Sequence, residues 1–229
     1  MDYYSFNLDL TRTNLAKSYL PEQHEAFVEF MNRLDAGKPF PEGYRIPCDF
    51  KLGSRTPFPA DAGLLDGSPA VSPRVQNIIN QFAAEQVQFI QFDYGELGLD
   101  FNDVGGLRYP FAVPPGYAWL NVLNLVPCLD FIYGETLPRK PKWDMQTNQH
   151  TPRDPAPVLK EIRFQPEKAA GLHIFRPKEY FVHIYISSEL HAALTAEKII
   201  GLQYKPLTEV LTSTRQTHNK YEGFWPRNC

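Results

Sequence analysis

Hydrophobic positions along the chain fall into a few strongly periodic runs. Phe27, Phe30, Met31 and Leu34 recur at i, i+3, i+4 and i+7 behind Pro21, and predict an amphipathic helix. Gly37 can close that helix and Pro39 prevents its continuation. The same spacing returns at Val75, Ile78, Ile79 and Phe82, with Ser72 in the N-cap position and Pro73 in the first turn. "VQFIQF" follows, short, β-branched and aromatic, and reads as a strand. Later, "YFVHIYI" (180–186) reads as a strand and Ser187 as the cap of a shorter helix bearing Leu190, Ala193 and Leu194. "IIGLQY" then returns as a strand.

One unit therefore occurs twice, in "AVSPRVQNIINQFAAEQVQFIQFDY" and in "YISSELHAALTAEKIIGLQYKPL". Each has a β-branched residue, a Ser, an apolar-periodic run and a Gln between apolar or aromatic neighbours. The second copy reads as three residues shorter. Between them, the nearly continuous apolar run 117–133 predicts a central strand from Tyr117 to about Val126 and a short strand or turn after Pro127. "KEIRFQP" (160–166) and "HIFRP" (173–177) read as further strands. Residues 37–69 read as loops with short extended pieces and 135–157 as a long exposed loop, and the tail from Thr212 is polar, with 221–225 able to dock on the core. The expected fold is α+β: a mixed sheet covered by helices, with a twice-occurring Ser-capped helix plus strand.

Composition narrows the class. A chain of 229 residues, 43% hydrophobic, can bury a sizeable core, and is expected to form one domain over 1–229. A net charge of −3 argues against a general nucleic-acid partner. Cys48, Cys128 and Cys229 are far apart and match neither a disulfide framework nor a zinc spacing, and Cys128, within an apolar run, reads as a buried thiol. No basic start followed by an apolar stretch marks a signal peptide, and no apolar run is long enough for a bilayer. A cytoplasmic protein without a membrane partner is the expectation.

Catalytic signatures are lacking: no G-x-G-x-x-G, Walker loop, G-x-S-x-G elbow or H-E-x-x-H. His183 and His191 have no common zinc spacing. Ser187 with His191 could make a nucleophile and base, but the Ser is better explained as a cap, as is Ser72. No catalytic, cofactor or metal residue is assigned. The acidic stretch "DYGELGLDFND" differs: Asp93, Glu96, Asp100 and Asp103 recur every three or four residues, and no Lys or Arg lies between Arg74 and Arg108. It lacks the ligand spacing of an EF-hand. Paired carboxylates for acid–base chemistry, a negative protein-binding face and a solvated loop all remain open readings.

The segment order resembles that of immunity protein family eleven, bacterial antidotes to polymorphic toxins. The residues that carry the likeness are "AVSPRVQNIINQFAAEQVQFIQF", "YAWLNVLNLVPCLDFIYGE" and "IFRPKEYFVHIYISSELHAALTAEKIIGLQYKPL", within roughly 45–208. The resemblance implies a non-enzymatic toxin inhibitor of interbacterial competition, needing no cofactor. Its partner would be a cognate secreted toxin encoded nearby. The resemblance carries over no binding residues; on charge alone, Asp93, Glu96, Asp100 and Asp103 are the expected contact residues. An enzyme of unrecognised class, using Ser187, His183 or the acidic stretch, and a small-molecule-binding regulatory module are the alternatives.

Overall fold

The fold was read from a computed structural model that describes residues 2–8, 14–15, 24–44, 60–65, 68–91, 116–138, 141–144, 148–151, 155–180 and 183–221. In chain order the first part runs β1 (Tyr3–Leu8), β2 (Asn14–Leu15), α1 (His24–Asp35), β3 (Ala62–Leu65), β4 (Ser68–Val71), α2 (Pro73–Ala83) and β5 (Val87–Gln91). The second runs β6 (Ala118–Val122), β7 (Leu125–Val126), β8 (Leu129–Leu137), β9 (Lys142–Asp144), β10 (Gln149–Thr151), β11 (Ala156–Phe164), β12 (Ile174–Pro177), β13 (Tyr185–Ser187), α3 (Ser188–Ala196) and β14 (Leu202–Pro206). A last helix, α4 (Leu207–Tyr221), follows. The expected α+β class holds.

These elements build two five-stranded sheets with one plan. Their orders are β2-β3-β4-β6-β5 and β7-β12-β13-β1-β14. In each, the first pair is parallel and every later pair antiparallel. The registers agree residue for residue. Val71 faces Ala62 and Ala118 as Ile186 faces Ile174 and Tyr4. Val87 faces Val122 as Leu202 faces Leu8. Each sheet therefore contains a split strand–helix–strand: β4 and β5 are parallel and flank β6, and β13 and β14 flank β1.

The duplication seen in the sequence is thus a fragment of a larger one. Each repeat is two strands, an insertion, a hairpin, a Ser-capped helix and a strand. The repeats also exchange their opening strands: β6 completes the first sheet and β1 the second. As many residues separate Ser72 from Val87 as separate Ser187 from Leu202, so the second copy is not shorter. Tyr204, opposite Phe6, is equivalent to Phe89, opposite Leu120, and not to an aromatic beyond β5.

Local chemistry explains the helices. Ser72 and Ser187 hold the same extended backbone (φ −68, ψ 161 and φ −68, ψ 162) and accept from Val75 N and Leu190 N, each at 3.3 Å. Gly37, at φ 59, ends α1: Lys38 N bonds Arg33 O at 3.1 Å and Gly37 N bonds Leu34 O at 3.0 Å. In α2, Val75, Ile78 and Ile79 are buried, while Phe82 is half-buried against the same core.

That core is shared. It joins Val71, Val87, Leu120 and Val122 of the first sheet to Phe6, Ile174 and Ile186 of the second, with α2 and α3 contributing Ile79, Leu190 and Leu194. The insertions, both placed between second and third strands, cover the outer faces. In the first repeat Phe30 of α1 lies 5.0 Å from Trp119, and Asn121 donates to Lys38 O at 2.9 Å. In the second, Leu129, Leu159 and Ile162 of the β8–β11 ribbon pack with Phe175, Tyr185 and, from α4, Leu207, Val210 and Leu211.

Three readings need correction. The run 117–133 is three strands serving first sheet, second sheet and ribbon in turn, because the chain bends at Leu123–Asn124 and Pro127–Cys128. The stretch 135–157 holds parts of β8 and β11 and the whole of β9 and β10, so it is strand in large part. In 180–186 Tyr180 closes a short 3-10 turn and, among the described residues, strand begins only at Tyr185; the polar stretch from Thr212 continues α4, and residues 222–225 lie outside the described residues.

Candidate interaction surface

The reactive groups singled out by sequence occupy structural positions. Ser187 Oγ lies 2.9 Å from His173 Nδ1, and Ser187 N donates to His173 O at 2.9 Å. Taken alone this is a Ser–His pair, and it involves His173, not His191. The other repeat supplies its meaning. Ser72 Oγ donates to Asp61 Oδ1 at 3.2 Å and Ser72 N to Asp61 O at 2.7 Å. His173 and Asp61 directly precede β12 and β3, so each is the anchor of a helix cap. Both serines are at most 4% exposed. The repeated Ser made the caps legible; their partners share no residue type and left no signal.

The turns after the two helices interlock reciprocally. Gln86 Oε1, beyond α2, accepts from His173 N at 2.9 Å and Ile174 N at 3.0 Å. Ile200, beyond α3, accepts from Ala62 N at 3.2 Å and donates its N–H to Asp61 Oδ2 at 3.0 Å. Arg74 and Glu197 close the contact at 2.8 Å.

The remaining titratable groups are packing groups. His191 is stacked on Tyr4, ring centroids 4.0 Å apart, and meets the edge of Tyr204 at 4.7 Å. His183 lies 4.4 Å from Tyr180. Burial lowers the pKa of both histidines below the ordinary value. Burial, helped by the Glu179 carboxylate, pushes the Cys128 thiol up to about 12, so it is protonated and inert. Glu179 Oε2 accepts from Cys128 N and Leu129 N, each at 3.3 Å. Arg176 is buried, and donates to Leu34 O and Val122 O, tying the end of α1 to β6. Among the described residues no group of His, Cys, Asp and Glu could hold a metal ion.

What remains is surface. Asp93, Glu96, Asp100 and Asp103 lie outside the described residues, but both ends of their segment are fixed. Gln91, the last residue of β5, faces Ala118 of β6. Gly116 returns beside Pro73 at the start of α2, where Gln76 Nε2 donates to its carbonyl at 2.6 Å. Tyr117 donates to Ala60 O at 2.9 Å. The acids therefore belong to the segment that leaves β5, the last strand of the first sheet, and returns to β6, the strand beside it. Residues 92–115 carry four acids against Arg108 alone, a net −3 that equals the charge of the whole chain. Elsewhere, Tyr133 (48% exposed) and Leu137 (55%) stand on the far half of β8.

No helix among the described residues is long and apolar enough to cross a membrane. The family whose model matches the chain is described as Immunity protein family (Imm11), over residues 3–209. That span takes in both repeats and the start of α4, well beyond the 45–208 over which the likeness was first read. No curated protein matches the chain.

Proposed function

The chain belongs to the immunity protein family Imm11, and from that premise we propose that it binds a cognate antibacterial toxin and neutralises it by covering the toxin's active site. The match over both repeats carries this reading. The use of Ser72, Ser187, His173 and Cys128 in caps and core is consistent with it. A stable complex needs roughly 800 Å² from each partner, with a few aromatic or Arg anchors. One domain in a cytoplasmic setting, with the toxin encoded nearby, completes the proposal.

Asp93, Glu96, Asp100 and Asp103 form part of the contact face in this reading. A surplus of carboxylates draws a basic cleft by long-range attraction, and acts mainly on the association rate. The toxin gene product is to be co-expressed and co-purified, and its activity titrated with the chain. Replacing the four acids by Asn or Gln should slow association at low salt and matter less at high salt. A folded variant that associates at the parent rate at both salt levels would reduce the stretch to solvated surface. Failure of any complex, with turnover in a broad substrate screen, would favour the enzymatic alternative.

A further inference from the structure

Neither repeat closes its own sheet. Strands β4 and β5 lie on either side of β6, which comes from the second repeat, and β13 and β14 on either side of β1, which comes from the first. Without the other repeat, each would be left with a strand-wide slot lined by unpaired backbone donors and acceptors. The strands that fill the slots are deeply set: all five residues of β6 are buried, as are Tyr3, Ser5 and Phe6 of β1. Backbone bonds cross in both directions. Phe6 N of the first repeat donates to Ile184 O at 2.8 Å, and Leu123 N of the second donates to Gln86 O at 2.9 Å. The core between the sheets is shared in the same way.

Side-chain size fixes which strand enters which slot. Trp119 lies opposite Ala70, and Ser5, its counterpart on β1, lies opposite Tyr185. All four side chains are buried. A first repeat closed by its own β1 would set Ser5 against Ala70 and leave the space of an indole empty. A second repeat closed by its own β6 would set Trp119 against Tyr185 and overfill the site. The same mismatch opposes a pair of two first repeats or of two second repeats. What fits a first repeat is a second repeat, and the contacts are the same whichever chain supplies it. Gln91 faces Ala118, so the connection from β5 to β6 joins points one strand spacing apart, and at ordinary concentration it favours pairing in cis. We propose that the two repeats are complementary halves that assemble without the peptide connection between them, and that a half from a second copy of this chain serves as well as the one in cis. This stands on sheet order and packing, and is independent of toxin binding.

The test starts from the full chain carrying a specific protease site within 92–115, cut either folded or in urea and then refolded. The cut protein should elute as a single one-to-one complex at the volume of the parent. Its urea midpoint should rise with protein concentration, by the equivalent of about 1.4 kcal/mol for each tenfold, while that of the uncut chain stays fixed. Two cut preparations, one of them isotope-labelled, are then unfolded together and refolded. Native mass spectrometry should find hybrid complexes as abundant as the original ones, and no pair of like pieces. In the cut protein Trp119→Ala should weaken the pairing by roughly a hundredfold or more. Val28→Ala, on the exposed face of α1, should leave it unchanged. Pieces that elute apart or precipitate after cutting overturn the proposal, as does a midpoint that ignores concentration. Pairs of like pieces, or a Trp119→Ala complex as tight as the parent, overturn the size rule. Refolded mixtures without hybrids overturn the claim for a second copy.

Discussion

Gly201 sits where the two repeats touch, and its replacement by Ala tests whether that interlock is required. Its φ is +98, in a region that an L side chain enters at about 1–2 kcal/mol. Space is the larger obstacle: a Cβ there would lie 2.1 Å from Ala62 O. That oxygen belongs to backbone at the start of β3 and cannot rotate away. The turn must back off by roughly 1 Å to reach even a 3.0 Å separation. Ala62 is fully buried, and its N–H donates to Ile200 O at 3.2 Å, so retreat of the turn leaves a buried donor unpaired, about 1–3 kcal/mol. Together these predict a loss of roughly 2–5 kcal/mol for Gly201→Ala. Gly43→Ala and Gly171→Ala are internal controls: both have positive φ (+71 and +80) and nothing within 4 Å of the added methyl. They should cost only the backbone share, about 1–2 kcal/mol. Urea unfolding followed by circular dichroism measures all three, with unchanged m-values as the condition for comparison. If Gly201→Ala costs no more than Gly43→Ala, the close approach between the repeats is not a constraint and the interlock is misread.

Ser72→Ala and Ser187→Ala should each lower stability by about 0.5–2 kcal/mol and leave toxin binding intact, as read by unfolding and titration; stoichiometric labelling of either Ser by a covalent serine probe would contradict their capping role. Phe82→Ala, at a half-buried position beside His173, should cost less than the about 3–5 kcal/mol of a fully buried Phe but more than about 1 kcal/mol. The depressed pKa values of His183 and His191 give stability a pH slope. Below the ordinary value of 6.5 the unfolded chain binds protons that the folded chain refuses, so stability is full above 6.5 and falls as pH drops through the folded pKa values. Urea midpoints at pH 7.5 and 5.5 should differ in that direction, and His183→Gln should shrink the difference; a midpoint that rises on acidification would refute the buried neutral imidazoles.

Local signals were legible in the sequence and pairings were not. Ser72, Pro73 and the Val75–Ile78–Ile79 stripe write α2 directly, because cap and periodicity are short-range facts. α4 escaped notice because its buried stripe, Leu207, Val210, Leu211 and Thr214, ends in a threonine and is diluted by exposed Thr and Ser. The β8–β11 ribbon was hidden by prolines that the edge of a two-stranded ribbon tolerates, such as Pro157 opposite Thr136. The strand exchange could not be read at all. "YYSFNL" and "YAWLNV" are equivalent strands, yet only Tyr3 with Tyr117 and Asn7 with Asn121 coincide, and which sheet each strand joins is set by contacts far along the chain. For the candidate site, charge and spacing marked the acidic run, and the sheet supplied the anchors that place its ends at β5 and β6.

The equivalent pair at the centre of each sheet explains why so little of the repeat survives in the sequence. In the first sheet Ala70 faces Trp119; in the second Tyr185 faces Ser5. Small and large have changed places, and all four residues are at most 2% exposed. A close-packed outer face fixes the summed volume of such a pair and leaves free which member supplies it. Strand exchange then couples the choice across the chain, because Trp119 comes from the second repeat and Ser5 from the first. A change at Ala70 must be answered in β6, and one at Tyr185 in β1. Neither repeat can drift alone without opening a cavity in a sheet it shares with the other. The exchange places no such demand on the insertions over the outer faces, α1 in the first repeat and the β8–β11 ribbon in the second. On the proposed reading as a toxin-binding protein, a contact face built on those insertions could change while the exchanged sheets keep the chain folded.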